Sequence, residues 1–212
     1  MRLCSYVVRR DHGFAPNPYW GYCTVACCKP DIRKSAETDD WIVGTSSKTE
    51  HKTGTHLVFV MRISERPLTF DEYSTDLRFR LKVPRHGLIE QRGDNIYYRD
   101  ENGAFHQRVP SYHSMGWKPG EEWQEHEDKK QWDLSGKNVL VAGPEDFWYF
   151  GRSLEIPQRF LWVIWGRQGH SYKFPQNKAK ELIEWIRGIK PGIHGDPFDL
   201  HARRVLEADL WK

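Results

Sequence analysis

The sequence predicts an α+β fold with a curved or barrel-like sheet, and three observations carry that expectation. About six or seven short apolar segments alternate unevenly with three or four helical patterns, unlike the regular rhythm of a doubly wound parallel sheet. The segment 57–63 alternates Leu57, Phe59, Met61 and Ile63 with Val58 and Val60, so both faces of this strand are apolar and covered. A helix beginning at Thr69 carries a full set of start signals.

In chain order, Leu3 to Val8 is apolar and β-branched enough to open the fold as a buried strand. The stretch 11–21 is punctuated by Gly and Pro, which keep it a loop. Cys23 to Cys28 is expected as a short helix ending before Pro30, because the residue preceding proline avoids the helical region. Trp41 to Gly44 is a second strand. Thr69 as N-cap and Glu72 three residues on form a capping box, with Leu68 and Tyr73 placed to pack across it and Leu77 continuing the face. Asp71 and Glu72 serve helix initiation there, where the dipole favours acidic groups.

Beyond Pro84 the chain is loop-like, with a strand at 96–98; the polar stretch from Ser111 to Gln131 shows no period. Segments 139–142, 147–150 and 160–165 read as three more strands. Asn177 is placed to cap a last helix running to about Arg187, with Ala179, Leu182, Ile183, Trp185, Ile186 and Ile189 on its apolar face. Gly188 and Pro191 end it.

Composition excludes several classes. In 212 residues no apolar run reaches the roughly 20 that a spanning helix needs, so no membrane partner is expected. The 10 Trp, 9 Tyr and 10 Phe supply core material that a disordered chain lacks. Residues 1–11 hold no signal-peptide stretch, so a soluble, cytoplasmic protein is expected. A net charge of +3 is too modest for a polybasic binder, and any nucleic-acid contact must be local.

Cys4, Cys23, Cys27 and Cys28 lack paired metal-ligand spacing, and buried, reduced thiols with no metal are expected; His12 and His51 remain the residues that would complete a metal site. No phosphate loop, dinucleotide fingerprint, nucleophile elbow or zinc-deaminase pattern is present, and no cofactor is expected.

What remains is polar residues set in aromatic or glycine-rich loops. Asp11 and His12 follow the first strand, Thr45 to Lys48 the second, and Asp94 and Asn95 precede Tyr97, Tyr98 and Arg99. Tyr112 and His113 lie in a loop, and Phe147 to Arg152 close the set. Rings beside amides and hydroxyls are what an extruded base requires, namely stacking plus hydrogen bonds to its edge. Phe14, Trp20 and Trp41 are the candidate stacking groups, Asn17, Ser46 and Asn95 the candidates to read polar edges, and Lys48, Arg99 and Arg152 the candidates to hold phosphate. Arg78, Arg80, Lys82 and Arg85 are read either as a solvated helix end or as a phosphate-tracking ridge. If the chain is instead an enzyme, Asp11, His12, Asp94 and His113 are its acid–base candidates.

The strings SYVV (5–8), DHGFAPNP (11–18), GYCTVACCKP (21–30), DWIVG (40–44), FDEY (70–73), GDNIY (93–97) and FWYFG (147–151) closely resemble one family. It is the second of the nucleotide-modification-associated domain families of bacteria and phages, and the similarity runs from residue 1 to about 190. The resemblance implies association with DNA base-modification or phage-conflict systems and assigns no reaction.

A second, partial similarity over about residues 1–80 is to the PUA-like group, which includes EVE, YTH and ASCH domains, small barrels many of which bind modified bases. It implies a PUA-like part at about 1–165 of one domain spanning 1–212, with the C-terminal helix and tail at about 176–212. Three functions follow as expectations. The first is recognition of DNA or a nucleotide carrying a modified base. The second is an enzyme acting on a nucleobase or nucleotide. The third is an adaptor for modification or defence enzymes.

Overall fold

In a computed structural model, residues 1–47, 55–114, 122, 124–166 and 169–200 are described. Eleven strands among them form three sheets: β1 (Leu3–Val8), β2 (Cys23–Val25), β3 (Trp41–Ser46), β4 (Leu57–Arg62), β5 (Leu68–Thr69), β6 (Tyr97–Arg99), β7 (Phe105–Gln107), β8 (Asn138–Ala142), β9 (Phe147–Tyr149), β10 (His170–Ser171) and β11 (Gly192–Ile193). The helices are α1 (Pro30–Ser35), α2 (Phe70–Thr75), α3 (Glu127–Leu134) and α4 (Gln176–Arg187), with four 3₁₀ segments. The fold is therefore mixed α+β, and none of the sheets closes into a barrel among the described residues.

The main sheet runs in the order β10-β1-β3-β4-β9-β11. β1 pairs parallel to β3, β3 antiparallel to β4, β4 antiparallel to β9, and β9 parallel to β11. β1, β3, β9 and β11 thus point the same way. Their C-terminal ends, and the chain that follows each, arrive at one edge of the molecule.

Side-chain alternation divides this sheet between two cores. Cys4, Tyr6, Ile42, Phe59, Met61 and Tyr149 face β2, β8 and α1, where Val25, Ile32 and Leu140 meet them. Leu3, Trp41, Val43, Val60 and Trp148 face the other way, onto Leu182, Ile183 and Ile186 of α4 and Phe160 and Val163. A third core lies beyond the small sheet β2-β8-β5, where Ala26, Val139 and Val141 pack on Phe70, Tyr73, Phe79 and Tyr97.

The capping box at Thr69 forms as expected: its hydroxyl accepts from the Glu72 amide at 3.2 Å, while the Glu72 carboxylate accepts from the Thr69 amide at 2.8 Å. Leu68 and Tyr73 share the third core.

Several expectations are corrected. Cys23 to Cys28 is not a helix: β2 occupies Cys23–Val25, because Thr24 and Val25 pair with Val141 and Leu140. Pro30 starts the neighbouring helix α1, since its missing amide is no loss in a first turn. The run 160–165 is not a strand: its first four residues belong to a 3₁₀ helix, Gln158–Val163, which buries Phe160 and Val163 against α4. Leu77 does not extend the α2 face; the helix ends at Thr75 and Leu77 is 78% exposed. The last helix starts at Gln176 after Pro175, with no side-chain cap, so Asn177 lies inside it.

Candidate functional site

The edge where the four codirectional strands end gathers most of the polar candidates. Asp11 and His12 follow β1, Ser46 ends β3, and the segment from His194 to Asp199 follows β11. Asp11 is the centre of this corner. Its Oδ1 accepts from the Tyr149 hydroxyl at 2.5 Å and the Gly13 amide at 3.4 Å, and its Oδ2 from the Phe198 amide at 3.2 Å. A reciprocal backbone clasp holds it: the Asp11 amide donates to Asp199 Oδ2 at 2.7 Å and the Asp199 amide to Asp11 O at 2.8 Å. His12 Nδ1 lies 3.1 Å from the Asp199 carbonyl oxygen.

These donors to Asp11 are a phenol and two amides, none of them a cation. Burial pushes its carboxyl up to about 6 and the hydrogen bonds only partly offset this, while Asp199 adds like charge. Ser46 belongs to the same edge: its Oγ accepts from the His56 amide at 2.9 Å, and the His56 ring meets Phe198 edge-on at 5.1 Å. Tyr19 Oη and His56 Nδ1 are buried there with no hydrogen-bond partner among the described residues.

Further along the same loop, Phe14 is buried and stacks on Tyr112 with ring centroids 4.9 Å apart. His113 approaches Phe14 at 4.9 Å, His12 approaches Tyr112 at 5.1 Å, and the Arg92 guanidinium lies 5.1 Å from the Tyr112 ring. Phe14 therefore backs Tyr112, and the half-buried Tyr112 and Trp20 keep the more accessible rings. Gly13, at φ +70°, is required at the bend, since a Cβ would stand 2.7 Å from Tyr19 Oη.

Asn17 ties the loop to a second polar centre. Its backbone pairs with Thr24 at 2.9 Å in both directions, and its Nδ2 donates to the Arg92 carbonyl at 2.7 Å. The Lys82 ammonium donates to Asn17 Oδ1 at 2.5 Å and to its carbonyl at 3.1 Å. Asp94 accepts from the Thr24 hydroxyl and from the Tyr73 hydroxyl, each at 2.7 Å. Burial lowers Lys82 to about 8 and raises Asp94, and their mutual attraction opposes both. Asn95 donates from Nδ2 to the Tyr73 carbonyl at 3.1 Å, and its Oδ1 is buried without a partner among the described residues.

The structure thus brings Asp11, His12, Phe14, Asn17, Asp94, Asn95 and His113 around one loop, with Ser46 at the same edge. It does not bring Trp41 there: that ring lies in the core on the opposite side of the main sheet, stacked on Trp148 at 5.8 Å. Odd positions of β3 face that way, a consequence of strand alternation. Arg99 is spent on an ion pair with Asp71 at 3.0 Å. Arg152 is exposed, next to the Asp196 carbonyl that its amide reaches at 3.3 Å. Lys48 and His51 lie outside the described residues.

The basic ridge does not form as one surface. Arg78 pairs with Glu65 and Asp76, and Lys82 points inward and is buried. Arg92 contributes without any sequence signal, whereas Tyr112 and Tyr149 lie in the aromatic strings 112–114 and 147–152 without an assigned role.

Cys4, Cys23 and Cys27 are buried free thiols, and Cys28 is half-buried. Burial pushes Cys23 and Cys28 up to about 12 and Cys27 well above its ordinary range. His113 stands beside Asp133, Nδ1 to Oδ2 3.3 Å, and burial lowers its basicity.

Fold and site together define an α+β protein whose main sheet delivers a buried acidic, aromatic and amide-rich corner to one edge. The chain belongs to the family described as nucleotide modification associated domain 2, whose model matches residues 1–204. No curated protein and no solved structure matches it. No described helix is long and apolar enough to cross a membrane.

Proposed function

We propose that this protein recognises a modified base or nucleotide in DNA within a nucleotide-modification system, and that the 11–21 loop is its reading element. One observation carries the reading: His12, Phe14 and Asn17, from a single loop, meet Arg92, Tyr112 and His113 from distant segments, with Asp11 next in the chain to His12. Rings for stacking, an amide, a carboxyl and a guanidinium are then within one neighbourhood, the set a base and its phosphate require. Trp20 and Tyr112 supply the stacking faces, Phe14 holds Tyr112 in place, and the buried Ser46 and Asn95 support the loop from behind. Arg152, at the same edge, and Lys48 are the phosphate contacts of this proposal; Arg99 serves the Asp71 pair instead. The finer fold reading, a PUA-like curved sheet, belongs to the same proposal and is supported by the main sheet with α4 on one face and a second sheet with α1 on the other.

A second reading has its own observation. An acid held at about 6 and hydrogen-bonded to a buried phenol suits proton transfer near neutrality, so Asp11 with Tyr149 favours an enzyme acting on a nucleobase or nucleotide.

Titration of purified protein against matched oligonucleotides with unmodified or hypermodified bases, at two salt concentrations, tests both. Mass spectrometry of the recovered nucleic acid completes the test. Preferential binding with unchanged mass is the expected result; a mass change moves the assignment to the enzyme. Absence of binding at either salt overturns recognition and leaves an adaptor role.

A further inference from the structure

A group of side chains that shares only His113 with the loop site has the composition of a transition-metal site. Cys27 follows β2, His113 sits on the 3₁₀ turn Tyr112–Ser114, and Asp133 lies near the end of α3. One donor atom from each lies within 4.8 Å of the other two. The three positions are 86 and 20 residues apart in sequence, so no spacing motif announces them. Cys27 and Asp133 are buried and His113 is mostly so.

We infer that Cys27, His113 and Asp133 form a binding site for a zinc-class divalent cation. A thiolate, an imidazole and a carboxylate are the soft and borderline donors that zinc takes, and three protein ligands leave one position of a tetrahedron open. Two donors fix the Asp133 carboxylate, as outer hydrogen bonds fix metal-ligating carboxylates. Asp133 Oδ1 accepts from the Cys28 amide at 2.6 Å, and Oδ2 accepts from the Tyr97 hydroxyl at 2.9 Å. The Tyr97 hydroxyl also stands 3.5 Å from His113 Nδ1. Binding releases the Cys27 proton to solvent, and the resulting thiolate and the Asp133 carboxylate balance the two positive charges of the ion.

This site shares His113 with the recognition reading but rests on its own observation, the meeting of three donor atoms. His113 packs on Phe14, and Tyr112 is its chain neighbour, so an ion at Cys27, His113 and Asp133 would pin the rings that back the 11–21 loop.

Cobalt(II) and zinc(II) titrations of the chelator-treated, full-length protein test the inference. One equivalent of cobalt is expected to give tetrahedral ligand-field bands with a thiolate-to-cobalt charge-transfer band, displaced by one equivalent of zinc. Cys27→Ser should abolish the charge-transfer band, whereas Cys4→Ser, at a buried thiol outside the cluster, should leave it intact. His113→Ala, on a turn that is partly exposed, should weaken affinity by at least about 100-fold and keeps the test decisive if Cys27→Ser does not fold. Substoichiometric cobalt, a spectrum without thiolate ligation, or a wild-type spectrum in His113→Ala would overturn the site. Because the readout is metal coordination, failure here is separate from failure to bind oligonucleotides.

Discussion

Two buried carboxylates, Asp11 and Asp94, sit at either end of one loop and are treated differently by the chain. Asp94 receives two hydroxyl donors and has Lys82 nearby, itself anchored on Asn17. Asp11 receives a phenol and two backbone amides. A buried charge with a counter-charge and full hydrogen bonding is a structural device, costly to break from one side. A buried carboxyl with neutral donors alone is held close to its own titration, at about 6. The first arrangement fixes the loop, and the second leaves a group able to change state where a ligand would meet it.

The largest expected effect lies on the structural side. Lys82→Met removes the cation from the network, takes the ammonium donor from Asn17 and leaves Asp94 uncompensated, at a cost of roughly 3–5 kcal/mol in urea unfolding. A loss below about 1 kcal/mol would show that the Lys82 network is not what holds the loop.

Next comes pH. Asp11 has a folded pKa above its unfolded value, so its contribution is complete below about pH 4 and is lost as pH rises through about 6. Relative to Asp11→Asn, the wild-type protein should lose up to roughly 3 kcal/mol of unfolding free energy across that window. An opposite slope would mean that a cation compensates Asp11.

Tyr149→Phe sharpens the contrast. Losing the phenol donor should cost about 1–3 kcal/mol and move the Asp11 midpoint upward, because that hydrogen bond favours the ionised form. A downward or unchanged midpoint, followed by carboxyl chemical shifts, would contradict this role. The smallest effect is a yardstick outside both regions: Thr69→Ala should cost about 1 kcal/mol by thermal or urea unfolding, the ordinary worth of an N-cap.

Much of the frame was legible because local rules decide it. β1, β3, β4, β8 and β9 are apolar, β-rich runs, and the capping box at Thr69 is written within four residues. Where local signals were weak, tertiary pairing decided. β2 has only three residues, and its identity comes from its neighbour β8. The aromatic run 158–163 looks the same whether strand or 3₁₀ helix, and packing on α4 chooses the latter. Helix α3 was invisible because it carries no apolar stripe: its buried residues are Lys130 and Asp133, and Trp132 is 60% exposed.

The candidate site divides the same way. Residues of the 11–21 loop were found because aromatic, amide and acidic types crowd a short string. The partners Tyr149, Arg92 and Tyr112 come from distant segments, and only the common direction of β1 and β9 and the packing of the loop bring them in. Trp41 failed the other way, since composition could not show which face of β3 it occupies.

The most direct test of the central claim compares oligonucleotide binding by the wild-type protein, Asp11→Asn and Trp41→Phe. Placing the site at the edge where β1, β3, β9 and β11 end predicts that Asp11→Asn weakens binding to the preferred modified oligonucleotide at least about tenfold, or roughly 1.4 kcal/mol, while Trp41→Phe stays within about twofold. Wild-type affinity in Asp11→Asn together with loss in Trp41→Phe would place recognition on the opposite face of the sheet and contradict the account.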